Sequence, residues 1–115
     1  MRYVGSCHCR DSRFEVTGEF GAAIECNCSH CNRKGYLLWF APRESFELKT
    51  PKTKLGVYTF NKHVIEHHFC KRCGTATFGF GAAPNGTKTV AINVRCLDGV
   101  DLDKVERKAF DGKSL

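Results

Sequence analysis

Polar and apolar residues alternate through "RFEVTGEF", residues 13–20. Phe14, Val16 and Phe20 fall on one side, and Arg13, Glu15, Thr17 and Glu19 on the other. A period of two belongs to a strand with one buried face. Shorter strand-like runs follow: "YLLWF" at 36–40, "SFEL" at 45–48, "GVYTF" at 56–60, "VIEHHF" at 64–69, "ATFGF" at 76–80 and "TVAINVRC" at 89–96. Turn-forming residues separate them, at Ala41-Pro42, Thr50-Pro51, Phe60-Asn61-Lys62 and "APNGT", residues 83–87. No long stretch has a period of 3.6. One helical turn is predicted from Asp101 to Glu106, with Asp101 as its cap. The pattern predicts a mostly β fold of small antiparallel sheets. The 115 residues suit a single domain, 1–115, with a modest core.

Composition sharpens this picture through its eight cysteines. The N-terminal stretch "MRYVGSCHCR" has no apolar signal region, and no run reaches the length needed to span a membrane. The expectation is a cytoplasmic chain whose thiols are metal ligands before they are disulfides. The net charge of +6 is dispersed. Its densest groups, Arg33-Lys34, Lys49 to Lys54 and Lys71-Arg72, form no basic tail, so a solvated surface or a small anionic ligand is expected before nucleic acid.

Seven cysteines fall into three clusters. "FCKRCG", residues 69–74, has the spacing of a zinc knuckle, which needs two further ligands. Cys7 and Cys9 are the economical donors. With Cys70 and Cys73 they would complete a structural zinc site, worth on the order of 10 kcal/mol to folding. Cys26, Cys28 and Cys31 in "ECNCSHCNRKG", residues 25–35, supply only three ligands. Three ligands and one exchangeable position mark a catalytic zinc. Cys96, His30, His67 and His68 are the candidates to close the site instead. Three thiolates on a dication leave a charge of −1, better suited to binding a thiol than to making hydroxide. Trp39, Phe40 and Phe80 are candidate pocket residues, with core packing as the alternative for each.

The stretches "GSCHC" at 5–9, "FEV" at 14–16, "ECNCSHCNRKG" at 25–35, "HHFCKRCGTATF" at 67–78 and "NVRCLDGVDL" at 93–102 occur in this order along nearly the whole chain. Together they resemble the glutathione-dependent formaldehyde-activating enzyme family, which also includes centromere protein V. The resemblance implies two zinc ions: a structural one on Cys7, Cys9, Cys70 and Cys73, and a labile one on Cys26, Cys28 and Cys31 where glutathione acts. It implies a carbon–sulfur lyase reaction joining glutathione to formaldehyde as S-hydroxymethylglutathione. Arg33 and Lys34, charged and close to Cys31, are candidates to meet a glutathione carboxylate. Arg10 stands where the family pattern usually has glycine, which bears on any left-handed backbone there. The alternative functions are a non-catalytic zinc-stabilised module that binds nucleic acid or protein, and a triad that buffers zinc or senses oxidants.

Overall fold

The computed structural model describes residues 1–60 and 65–114. Among the described residues, ten strands form two sheets. The smaller contains β1 (Arg2–Ser6), β2 (Arg13–Thr17) and β5 (Phe46–Leu48), in the order β1-β2-β5. The larger holds β3 (Ala22–Cys26), β4 (Leu38–Pro42), β6 (Leu55–Tyr58), β7 (Glu66–Cys70), β8 (Ala76–Ala82), β9 (Lys88–Asn93) and β10 (Glu106–Phe110). Its order is β10-β3-β4-β9-β8-β7-β6. Every pairing is antiparallel except β10 with β3, which run parallel. The predicted mostly β architecture is therefore the observed one.

The alternation in β2 is what joins the two sheets. Phe14 and Val16 are fully buried and pack, with Phe46 of β5, against Phe78, Val90 and Ile92 of the larger sheet. Phe46 and Phe78 bring their ring centroids to 4.6 Å. A bridge between Gly5 and Leu97, with the Asp98 amide donating to the Val4 carbonyl at 2.8 Å, ties β1 to the segment after β9.

The turn chemistry acts as read where it is described. Pro42 and Pro51 each open a short 3-10 turn, Arg43–Ser45 and Lys52–Lys54. Asn85 and Gly86 make the β8–β9 connection, the Thr87 amide donating to Asn85 Oδ1 at 3.0 Å. The helical turn is the 3-10 segment Leu102–Lys104, capped by Asp101 through the Asp103 amide at 3.1 Å. Asn61, Lys62 and Val64, which belong to the turn expected after Phe60 and to the run at 64–69, lie outside the described residues. Residues 94–96, expected as strand, instead form a 3-10 turn, because Asn93 caps it by accepting from the Arg95 amide at 3.2 Å.

Three strands and a helix were not expected. Strands β1, β3 and β10 carry weak or no alternation, and all five residues of β10 are exposed. Helix α1 (Ser29–Lys34) has only six residues. Cys28 caps its start, its sulfur accepting from the Cys31 amide, and Gly35 ends it in the left-handed region at φ 66°.

Candidate functional site

Two sulfur groups stand at separate places in the fold. Cys7 and Cys9 lie in the loop between β1 and β2. Cys70 ends β7, and Cys73 lies in the turn before β8. The four sulfurs lie within 4.8 Å of one another, with Cys7–Cys9 at 3.7 Å and Cys9–Cys70 at 3.6 Å. Tetrahedral zinc with bonds of about 2.3 Å requires sulfur–sulfur edges of about 3.8 Å, so the spacing fits.

Backbone amides stabilise these sulfurs: Ser12 donates to Cys7 at 3.4 Å, and Arg72 and Cys73 donate to Cys70 at 3.4 and 3.5 Å. Gly74 supplies a left-handed turn, at φ 80°, and its amide goes to the Cys70 carbonyl at 2.9 Å. Arg10 also adopts the left-handed region, at φ 70°, the only non-glycine described residue to do so. The loop thus keeps the geometry that glycine would favour, at about 1 kcal/mol of strain.

Two of these thiols, Cys9 and Cys73, are pulled in opposite directions. Burial raises the Cys73 pKa, but the Thr75 hydroxyl at 3.3 Å and backbone amides outweigh it and hold it near 5. At Cys9 the Asp11 amide favours the thiolate. Desolvation and the Cys70, Cys7 and Cys73 sulfurs outweigh it and push that pKa up to about 12. A bound dication relieves this conflict, since all four sulfurs can then be thiolates.

The second group consists of Cys26 at the end of β3, Cys28 at the cap of α1 and Cys31 in its first turn. Their sulfurs also lie within 4.8 Å of one another. The Cys28 amide approaches Cys26 Sγ at 3.5 Å and the Cys31 amide approaches Cys28 Sγ at 3.4 Å. The same conflict recurs here. Burial raises Cys28, but the Cys31 amide and the neighbouring thiols leave it below the ordinary thiol range. Burial and the other two sulfurs hold Cys31 above it. Both groups could therefore hold a metal ion.

Among the described residues, no fourth His, Cys, Asp or Glu joins the triad. Cys96 packs against the main core and points its thiol toward the Ala76 carbonyl at 3.9 Å, where it feels the charges of Cys7 and Cys73. His68 is buried between Phe78 and Phe80, with ring centroids at 5.0 and 4.9 Å. His30 and His67 pack against each other in a tilted arrangement, centroids 4.1 Å apart, within a ring cluster that includes Tyr58 and Phe60.

Beside the triad opens a cavity of about 310 Å³, at the lower end of the range for small-molecule sites. Its walls include Cys26, Cys31, Asn32, Tyr36, Glu25 and Arg95. Tyr36 is buried, and its hydroxyl has no hydrogen-bond partner among the described residues. Burial, then the charges of Cys31 and Cys96, hold its pKa above the ordinary range, so it is a neutral donor at physiological pH. Trp39 is core, packed on Tyr3 and Phe20; Phe40 is exposed; Phe80 carries the Arg43 guanidinium 3.3 Å from its ring centroid. None of the three lines this cavity.

Arg33 and Lys34 are also outside its walls. Arg33 donates back to the Ser29 carbonyl of its own helix at 3.1 Å, and Lys34 lies over the rings of Tyr58, Tyr36 and Phe69 at 5.5 to 6.0 Å. Tyr36 and Arg95 were not singled out by the sequence, because their proximity to the triad is a product of folding. The same holds for a strap formed by Asp111 and the 3-10 turn Gly112–Ser114. Asn27 latches it, donating to Asp111 Oδ1 at 2.9 Å and accepting from the Lys113 amide at 2.8 Å. Gly112 then lies directly against the Cys26 sulfur.

Fold and sites define a class: a two-sheet β domain in which one four-cysteine group joins the sheets and a three-cysteine group stands beside a cavity. The family model described as glutathione-dependent formaldehyde-activating enzyme matches residues 2–110, and the chain belongs to that family. Membership supports formaldehyde-activating, glutathione-related chemistry in general. The fold is similar to that of a crystal structure of a Rhodobacter sphaeroides protein from structural genomics. That similarity has a TM-score of 0.76 at 27% identity and covers 91% of this chain and 99% of the other. No described helix is long and apolar enough to cross a membrane.

Proposed function

We propose that the protein is a zinc-dependent carbon–sulfur lyase that joins a thiol to a small aldehyde and releases them in the reverse direction. Glutathione and formaldehyde are the pair that the family description points to. One observation carries the reading: three sulfurs with no fourth described ligand stand beside an open cavity. Cys7, Cys9, Cys70 and Cys73 hold a structural zinc, and Cys26, Cys28 and Cys31 hold a second. Bound at the triad, zinc supplies a position at which a thiol gives up its proton, a role that suits the net charge of −1 left by three thiolates.

The chain's own groups do the rest. Amides of Cys28 and Cys31 donate to the sulfurs of Cys26 and Cys28 and help to hold them in place. The cavity walls hold the thiol and the aldehyde together, which turns a bimolecular addition into a local one. The sulfur electron pair forms the carbon–sulfur bond as the carbonyl π bond opens, and the new oxygen takes up a proton in place of the one lost by the thiol.

The test uses exchange NMR of labelled formaldehyde with glutathione, reading the acceleration over the spontaneous addition. Cys28→Ser is expected to keep its fold and lose the acceleration. A folded Cys28→Ser protein with undiminished acceleration refutes the mechanism, and the zinc-stabilised binding module then becomes the better account.

A further inference from the structure

Arg95 is the one cationic side chain among the described residues on the wall of the cavity beside the triad. Glu25 on its wall pairs with Arg107 at 3.5 Å. Arg95 pairs with no carboxylate among the described residues.

Arg95 is also held in place from several directions. Its amide donates to Asn93 Oδ1 at 3.2 Å, and the Asn93 side chain in turn donates to the Ala76 carbonyl at 3.0 Å. The adjacent Val94 amide donates to the Leu37 carbonyl at 2.7 Å. The side chain is fixed as well: Nε donates to the Gly35 carbonyl at 2.9 Å. Gly35 ends α1, the helix that carries Cys31, and Gly35, Cys31 and Tyr36 all line the cavity. The guanidinium is thus anchored by one nitrogen, and its two terminal nitrogens remain for a ligand.

We propose that Arg95 is the residue that anchors a carboxylate of the thiol bound at the triad. The inference rests on the thiol chemistry proposed above and names the side chain that recognises the acidic group. A planar fork held at Nε presents two parallel donors to a carboxylate, which gives both affinity and orientation. Arg33 and Lys34 are nearer to Cys31 in sequence, but neither lines the cavity. The alternative role for Arg95 is to stabilise the anionic triad itself. That role affects every thiol equally, whereas a carboxylate anchor affects only acidic ones.

The experiment is calorimetric titration of the zinc-loaded protein with glutathione and, separately, with glutathione diethyl ester, which keeps the thiol and masks both carboxylates. The wild type is expected to bind glutathione about tenfold or more tightly than the ester. Arg95→Gln is expected to lose that preference while binding the ester as before, and Arg95→Lys to keep part of it. Arg33→Gln is expected to leave both affinities unchanged. The ester serves as a folding control within each variant, and the wild-type comparison stands even if Arg95→Gln does not fold. Equal losses for both thiols, or none for either, overturn the assignment. A wild type that prefers glutathione without accelerating adduct formation overturns the proposed reaction and leaves the anchor standing. A wild type that binds neither thiol overturns both.

Discussion

Gly112→Ala tests whether the strap closes the triad. A methyl group built at Gly112 lies 2.5 Å from Cys26 Sγ and 3.3 Å from Cys28 Cβ. Unstrained contacts between such atoms are about 3.5–4.0 Å, so one side must yield by roughly 1 Å or more. A sulfur bound to a metal ion is the less able to move. The strap is exposed, and its fastening consists of two hydrogen bonds through the Asn27 side chain. Each is worth about 0.5–1.5 kcal/mol net, so lifting the strap costs about 1–3 kcal/mol.

That cost sets a limit. The loss of global stability cannot exceed it, and exposure of the triad rises by about five- to 150-fold. The assay is zinc transfer from the loaded protein to a chromogenic chelator, followed as two phases. The fast phase, assigned to the triad, is expected to accelerate by that factor while the slow phase from the four-cysteine site keeps its rate. Asn27→Ala, which releases the latch without a clash, is expected to act in the same direction. An unchanged fast phase in both variants refutes the reasoning, as does equal acceleration of both phases.

Cys70→Ser removes a ligand from the group that joins the sheets. Since a structural zinc contributes on the order of 10 kcal/mol against a total stability of 5–15 kcal/mol, the variant is expected to lose its cooperative thermal transition by circular dichroism. A folded variant with an ordinary transition contradicts the structural role of that site. The acid response follows from His67. Burial, then the charges of His30, Lys34 and His68, hold its pKa near 4, against an ordinary value of 6.5. Between those values the unfolded chain binds a proton that the folded chain refuses, so stability is complete above pH 6.5 and falls as the pH drops toward 4. The urea midpoint of the wild type is expected to fall more between pH 7 and pH 5 than that of His67→Gln; equal falls sink this account.

The parts of the fold legible in the sequence are those where a local pattern meets a tertiary demand. Phe14 and Val16 alternate because β2 has one face against the other sheet, so the chain records that burial residue by residue. Strand β10 records nothing: "ERKAF" is exposed throughout and is held by parallel pairing with β3. Its charges suit an edge strand, where they discourage further pairing, and hide its strand character. The cysteine groups were legible for a different reason. Ligand spacing is dictated by the geometry of an ion, and two or three residues suffice to show it. The cavity has no such local rule, since Glu25, Tyr36, Arg95 and Ala109 come from four parts of the chain. Nearness to Cys31 in sequence therefore pointed to Arg33 and Lys34, while the cation that lines the cavity comes from the turn after β9.

The two cysteine groups also differ in when they become available. Cys26, Cys28 and Cys31 leave the ribosome almost together, whereas Cys9 and Cys70 are 61 positions apart. Closing the longer loop costs roughly 2–3 kcal/mol more chain entropy. A growing chain therefore completes its three-cysteine group well before its four-cysteine group. The strap at residues 112–114, which covers the triad, is made later still. If the four-cysteine group holds zinc as proposed, scarcity of the ion would leave newly made chains waiting, still unfolded, for the one that joins their sheets. Abundance of the folded protein would then track zinc supply.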